Sequence, residues 1–469
     1  MSLNLDPPPV AGAHPTASAA DHGVPFREAV RVWTKIALNS FGGPAGQIAV
    51  MHKVLVEEKR WISESRFLHA LNYCMLLPGP EAQQLATYIG WLMHRTKGGL
   101  VAGTLFILPG FLSILALSYL YAGYQDVTFV QALFYGLKPA VLAVVVEAVL
   151  RIGKRALKNG VMYGLAGGAF VAIFFFGVPF PVIILSAFLI GIVGGRIWPD
   201  TFAVIKGHAA KSEGKAALDA ILDENALTHT QPSWKRFLTV SSICLTLWFG
   251  PLAAIWGFCG PQSVYMQQGL YFSKAAVVTF GGAYAVLAYM AQEAVHTYHW
   301  LLPGEMLDGL GMAETTPGPL IQVVQFVGFM GAYRDAGTLH PMLAGTLAAV
   351  LTTWVTFVPC FFWIFLGAPY VEALRGNRHL TSALSAITAA VVGVILNLAV
   401  WFAIHTVFGT VNEETYGPVR LQIPEWSTWK PVPSVLAVAA MLAMLRFHLG
   451  MIKTLVACGV LGMLAYFLQ

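Results

Sequence analysis

Apolar residues fill the chain in long blocks separated by short polar stretches, and the blocks are of two kinds. Unbroken blocks run over 98–122, 128–150, 160–176 and 179–197, and again over 338–366, 381–408, 431–446 and 450–467. Each is near the ~20 residues that a helix needs to cross a ~30 Å hydrocarbon layer. The other blocks are interrupted by glycine and proline. Segment 27–55 breaks at Phe41-Gly42-Gly43-Pro44 and segment 62–93 at Pro78-Gly79-Pro80; segment 267–292 breaks at Phe280-Gly281-Gly282 and segment 303–331 at Pro317-Gly318-Pro319. Glycine frees the backbone there, and proline removes a donor and kinks or stops a helix. One further apolar block, 236–258, precedes the second set. The pattern predicts an all-α polytopic membrane protein with broken or re-entrant helices in each half.

The breaks recur at a constant offset. Phe280 lies 239 residues after Phe41, and Pro317 lies 239 after Pro78. Lys35 matches Lys274, Met51 matches Met290, Trp61 matches Trp300 and Gln83 matches Gln322. Across 35–83 fifteen of forty-nine ungapped pairs are identical, which marks an internal duplication. The expected division is a disordered Pro- and Ala-rich tail (1–25, not a signal peptide), a first transport repeat (26–197) and a cytoplasmic linker (198–235). A single membrane helix (236–258) and a second transport repeat (265–469) follow. Broken helices at matching places of two halves are the sequence mark of a transporter binding site.

Lysine and arginine set the sides of the membrane, because cytoplasmic loops retain them. Lys53, Lys59 and Arg60 lie in the first copy, whereas the matching stretch 292–299 of the second has neither residue type. The single helix 236–258 would invert the second copy, giving an inverted repeat. Two readings of each broken segment stay open: a re-entrant hairpin, which places every first-half basic loop inside, or a single crossing.

Composition narrows the classes. The chain of 469 residues is 57% hydrophobic and 11% charged, against about 25% charged in soluble domains. Its net charge of +5 and the lack of a basic run with interleaved aromatics give no reason to expect nucleic acid. Five scattered cysteines read as buried small hydrophobes, and His296 and His299 have no third ligand beside Glu293, so no metal and no cofactor are expected. Trp61 and Trp300 read as interfacial anchors, and Gly160, Gly164, Gly167 and Gly168 as close helix packing. Asn39 and Asn397 read as packing amides.

A half-helix that starts at a break points its first N–H groups and its positive dipole end at the break, which makes an anion site. Around the breaks the expected contacts are Phe41, Gly42, Gly43, Pro44, Pro78, Gly79, Pro80, Phe280, Gly281, Gly282, Pro317, Gly318 and Pro319. Neutral donors come from Ser40, Gln47, Gln83, Gln84, Thr279, Thr315, Thr316, Gln322 and Gln325. Each helix end contributes about 0.3–2 kcal/mol, while burying an unpaired ion costs tens. The site is therefore expected to be partly wet or to hold a fixed cation, with Lys35 and Lys274 as candidates; the alternative for Lys35 is snorkelling to the surface. Glu81 is expected either to complement its helix dipole or to couple protonation to transport, with Glu147 and Glu314 as further coupling candidates.

Phe-Gly-Gly-Pro, Trp61-Ile62-Ser63 and Leu76-Leu77-Pro78-Gly79-Pro80-Glu81-Ala82-Gln83-Gln84-Leu85-Ala86, with Phe-Gly-Gly and Thr-Pro-Gly-Pro in the second half, resemble the chromate ion transporter family in its long, two-domain form. The resemblance spans about 26–467 and implies a membrane exporter of the chromate dianion. The second half departs from the first, with Ala283 in place of the proline and Leu320 in place of Glu81, so the halves are not expected to do identical jobs. Charge and shape do not separate chromate from sulfate. No Gly-x-x-x-x-Gly-Lys-[Ser/Thr] loop is present, so a proton or counter-anion is the expected energy source, in contact with lipid and with a homodimer left open. The competing classes are an anion channel, a carrier for other small anions or organic acids, and a membrane enzyme. The last lacks a nucleophile–base pair.

Overall fold

The computed structural model describes residues 24–41, 43–75, 77–124, 127–202, 233–280, 283–302, 304–368 and 378–468. Most of the expected tail (1–23), most of the linker (203–232), and Gly42, Gly281 and Gly282 lie outside the described residues. Four short helices open the chain: α1 (Phe26–Leu38), α2 (Gly43–His52, extended by a π-helical turn Lys53–Glu58), α3 (Glu64–Cys74) and the first part of α4 (Glu81–Tyr124). Residues His94 and Arg95 leave helical geometry, Arg95 at φ 53°, and split α4 there. Next come α5 (Thr128–Ala156), α6 (Gly160–Phe174), α7 (Phe180–Ile197), a short α8 (Pro199–Phe202) and the single helix α9 (Trp234–Cys259).

The second copy repeats the order. It holds α10 (Val264–Val278), α11 (Ala283–Gln292, with a π-helical turn Glu293–Thr297), α12 (Glu305–Thr315) and α13 (Val323–Arg334), the last entered through a 3-10 turn Leu320–Gln322. Then come α14 (Pro341–Gly367), α15 (Arg378–Val407), a hairpin of β1 (Val411–Tyr416) and β2 (Val419–Pro424), α16 (Pro431–Leu445) and α17 (Met451–Leu468). The hairpin is antiparallel and turns at Gly417, at φ 61°. The alternating stretch around Gly417-Pro418 carried that signal, and the reading by apolar blocks passed over it.

Among the described residues seven helices are long and apolar enough to cross a membrane: α4, α5, α7, α9, α14, α15 and α17. Helices α6 and α16 are apolar but hold only 15 residues each. Large apolar side chains stand exposed along α9, among them Leu238, Ile243, Leu247, Phe249 and Trp256, which suits a lipid-facing surface. This is an all-α, multi-pass membrane protein.

Matched sequence becomes matched geometry. At the offset of 239, Arg60 and His299 take φ 52° and 54°, and Gly79 and Gly318 take φ 123° and 109°. Each π-helical turn closes with the same bond, Lys59 N–H to Val54 O and Tyr298 N–H to Glu293 O, both 2.9 Å. The left-handed residue reverses the chain and tucks the following tryptophan inward. Trp61 and Trp300 are therefore buried, the latter stacked on Tyr298 and Phe272, and they are core residues, not the interfacial anchors that the sequence suggested.

Both broken pairs return to the end at which they begin. Lys59, past the end of α2, meets Glu28 at the start of α1 at 2.7 Å, and His94 at the end of the first part of α4 bonds Val24 O at 3.1 Å. In the second copy Arg334, closing α13, reaches Trp300 O at 2.8 Å and grips Glu305, opening α12, with two bonds of 2.7 and 2.8 Å. Glu305 is buried, so this pair holds a hairpin shut at high cost if one partner is lost.

The two copies are interlocked beyond the hairpins. Helix α5 packs against α16 and α17 of the second copy, and its counterpart α15 packs against α6 and α7 of the first. Close approach there depends on Gly136, Gly191, Gly393 and Gly462; a Cβ at Gly462 would fall 2.1 Å from Gly136 Cα. The four glycines of α6 that sequence assigned to close packing do not serve it. A Cβ at Gly160, Gly164, Gly167 or Gly168 would meet nothing within 4 Å. Of the cysteines, Cys259 is exposed at the end of α9, while the other four are buried as expected.

Candidate substrate site

The breaks meet through a reciprocal pair of backbone bonds. Gly79 N–H donates to Thr279 O at 2.8 Å, and Gly318 N–H donates to Ser40 O at 2.9 Å. Thr279 is the counterpart of Ser40, and Gly318 that of Gly79, so each copy gives the other the same bond. The acceptors are prepared locally. Ser40 and Thr279 each turn their hydroxyl back onto their own helix, to Ile36 O and Ala275 O, both at 2.6 Å. This frees the carbonyl of the helix end to face the opposite loop.

Each crossing loop also leans on a long helix beside a proline within it. Gly318 lies against Gly110, next to Pro109 of α4, with a Cβ at Gly318 falling 3.0 Å from Gly110 Cα. A Cβ at Gly79 would fall 2.9 Å from Cys360 Sγ, next to Pro359 of α14. The two prolines are 250 residues apart, the same spacing that separates the starts of α5 and α15. Gly110 drew no assignment from the sequence, and Cys360 was read there only as one of five buried small hydrophobes. The signal available was a proline inside an otherwise regular apolar helix in each half.

Four helices start beside these loops: α2, α4, α11 and the 3-10 turn into α13. Their first-turn amides have no partner within the helix, and they point toward the breaks. Pro44 is the second residue of α2 and Pro80 directly precedes α4, both where a missing N–H costs nothing. Gln47 donates to Gly318 O at 2.5 Å and Gln84 to Pro78 O at 2.7 Å. Gln83 donates to Thr87 Oγ1 at 3.0 Å, Gln322 to Gln325 Oε1 at 3.1 Å, and Gln325 to Phe111 O at 2.9 Å. Ser40, Gln47, Gln83, Gln84, Thr279, Gln322 and Gln325 are all buried, and the amide oxygens of Gln83, Gln84 and Gln322 have no hydrogen-bond partner. Thr315 and Thr316 are spent on their own helix, on Gly311 O and Ala313 O. Phe41 and Phe280 sit half-buried at the turn of each loop.

The ionisable candidates separate. Lys35 is exposed and pairs with Glu58 at 3.0 Å, and Lys274 is exposed on α10. The structure does not gather either ammonium at the breaks. Asn39, likewise exposed, bonds Lys35 O, whereas Asn397 is buried. Glu147 is half-exposed and lies 3.7 Å from Arg151. Glu81 is half-buried within electrostatic reach of Arg155, whose guanidinium also lies 3.2 Å from Met75 Sδ at the second break. Arg151 and Arg155, one turn apart on α5, are thus the cations beside these acids, and the sequence assigned neither of them to the site.

Glu314 is the most deeply buried acid among the described residues. It is buried, it accepts the Tyr284 hydroxyl at 2.6 Å, and its second oxygen is buried with no hydrogen-bond partner. A Cβ at Gly43 would lie 3.5 Å from the same hydroxyl. Tyr284 therefore links Glu314 of the fourth break to Gly43 of the first. Tyr284 was missed in the sequence, where it stands only as one aromatic in an apolar run. Among the described residues no cluster of His, Cys, Asp and Glu is arranged to hold a metal.

Comparison with known proteins follows the same division of the chain. The sequence profile described as Chromate transporter matches residues 27–192 and 266–463, one stretch for each copy on either side of α9. The chain is 31% identical to the chromate transport protein of Pseudomonas aeruginosa over 77% of each protein. It is 27% identical to the chromate transport protein of Cupriavidus metallidurans, covering 83% of this chain and 86% of that one. With a probable chromate transport protein of Synechococcus elongatus it shares 24% identity over 80% of its length and 84% of the relative's. No solved structure matches the chain significantly. With crossed, broken helices in two matched copies and a profile covering most of both, the chain belongs to the chromate transporter family.

Proposed function

We propose that this protein is a secondary active transporter that exports chromate across the inner membrane, holding the dianion where the half-helices start. The reciprocal bonding of Gly79 with Thr279 and of Gly318 with Ser40 carries the reading. It brings four positive helix ends to one place, and opening one loop necessarily disturbs the other. Chromate as cargo rests on the relatives named above, since a tetrahedral oxyanion of the same charge, such as sulfate, presents the same oxygens. The driving ion is a proton or a counter-anion, with Glu314, Glu81 and Glu147 as the groups that exchange it.

The copies are inverted in the membrane in this reading. Contacts along α4 and α14 support it, because these helices run antiparallel. Tyr119 near the end of α4 bonds Thr346 near the start of α14, at 2.5 Å. The first hairpins reach the end of α14, where Tyr73 bonds Trp363 O at 3.4 Å. The second hairpins reach the end of α4, where Tyr333 bonds Ala122 O at 3.2 Å. A cysteine at position 296 should react with an impermeant thiol reagent from outside the cell; reaction from the cytoplasmic face alone overturns the inversion.

The function itself is tested in vesicles of the purified protein, with chromate, sulfate and an imposed pH difference varied independently. Chromate should accumulate against its own gradient and stop on uncoupling. Flux that only ever follows the chromate gradient would make the protein a channel. Uptake of sulfate alone would change the cargo and leave the site.

A further inference from the structure

A polar cavity opens at the end of the molecule away from the α5 arginines. Its volume is about 290 Å³, and its walls include Lys138, Lys430, His405, Asp308, Tyr121 and Gly304. Five separate places supply these groups: the end of α4, the early part of α5, the start of α12, the end of α15 and the residue before α16. The cavity is wide enough for a small hydrated ion.

The charges are arranged around an excess of cation. Asp308 is buried, accepts the Tyr121 hydroxyl at 2.9 Å and pairs with Lys138 at 3.3 Å. Its remaining oxygen is buried without a hydrogen-bond partner. One carboxylate thus orients Lys138, while Lys430 and His405 line the same cavity from other elements. Burial, and then the nearby Lys138 ammonium, hold Lys430 below the ordinary lysine range. Two ammonium groups facing one cavity repel each other unless an anion lies between them. Gly304, at φ 90°, borders the cavity close to Lys138, since a Cβ there would sit 3.5 Å from Lys138 Nζ.

We propose that this cavity is a second binding site, for a small doubly charged oxyanion, bridged between Lys138 and Lys430. The assignment of the cavity as an exit station rests on the export reading above; binding there does not. Helix α12 connects the two places, since Asp308 and Thr315 lie seven residues, or about 10 Å, apart along it. An anion leaving the breaks would meet the lysine pair next. Asp308 competes for Lys138, which keeps that station weak enough to release the ion.

Equilibrium dialysis of the purified full-length protein against labelled chromate, and separately labelled sulfate, tests the site. The native protein should bind two anions. Lys430→Ala should weaken one of them about tenfold or more, the loss of a charge-assisted contact, and Lys430→Arg should keep it. Lys138→Ala with Asp308→Asn, which avoids stranding a buried carboxylate, should weaken the same one. Gly79→Val should remove the other. Two native sites that ignore both lysine changes, or a single native site lost only in Gly79→Val, overturn the cavity proposal. A site sensitive to the lysines beside no site sensitive to Gly79 leaves the cavity standing and removes the breaks from binding. Sulfate filling both sites while chromate fills neither keeps the cavity and changes the cargo.

Discussion

Gly79→Val and Gly318→Val should each abolish anion flux, by at least about a hundredfold, while the protein still reaches the membrane. Two effects add at each position. The backbone stands at φ 123° and 109°, where a β-branched residue is strained by about 1–3 kcal/mol. A Cβ would also fall 2.9 Å from Cys360 Sγ, closer than packed atoms allow, or 3.0 Å from Gly110 Cα, where the neighbouring backbone must give way. The loop must then move off its helix, and the bond to Thr279 O or Ser40 O goes with it. Because the two bonds are reciprocal, damage at either glycine should reach both copies. Vesicle flux measured beside a count of folded protein in the membrane decides the matter. Normal flux in either variant would take the crossing loops out of the transport site.

Glu314→Gln should uncouple the protein rather than empty it. The glutamine keeps the shape and accepts the Tyr284 hydroxyl, yet it cannot release a proton. Anion exchange across the membrane should persist within a few-fold, and accumulation driven by a pH difference should fall at least about tenfold. Tyr284→Phe should act differently, because it leaves both carboxyl oxygens of Glu314 buried without a hydrogen-bond partner, a cost of about 1–3 kcal/mol. It should lower stability and flux together. If Glu314→Gln leaves pH-driven accumulation intact, the carboxyl is structural and the coupling belongs to Glu81, Glu147 or a counter-anion.

Much of the fold was legible because it depends on local chemistry. Glycine and proline in apolar runs announce where helices must stop, and α2, α4, α11 and α13 start within a few residues of those breaks. The unbroken blocks became helices close to their expected limits, since a lipid-crossing segment needs only length and apolarity. The glutamines, Ser40 and Thr279 were placed near the breaks by counting one turn, and all of them are buried there. The misses share a cause. Trp61 and Trp300 were assigned to the interface from residue type, yet a left-handed residue just before each turns it into the core. The α6 glycines look like a packing stripe, but packing needs a neighbour and none stands opposite them. Lys35 keeps its counterpart in the other copy, while its ammonium meets Glu58 at the surface.

The sequence by itself determined that the chain is a duplicated, helical membrane protein with interrupted segments at matching places. Those properties follow from hydrophobicity, from the backbone limits of glycine and proline, and from a repeat that comparison within one chain reveals. Only the tertiary structure decided what the interruptions face. That Gly79 meets Thr279, that Gly318 meets Ser40, and that Glu314 lies beside Tyr284 depends on antiparallel α4 and α14 bringing distant loops together. Such contacts span about 30 to 280 residues of chain. No local periodicity encodes them, because each is settled by the shapes of helices packed from both copies at once.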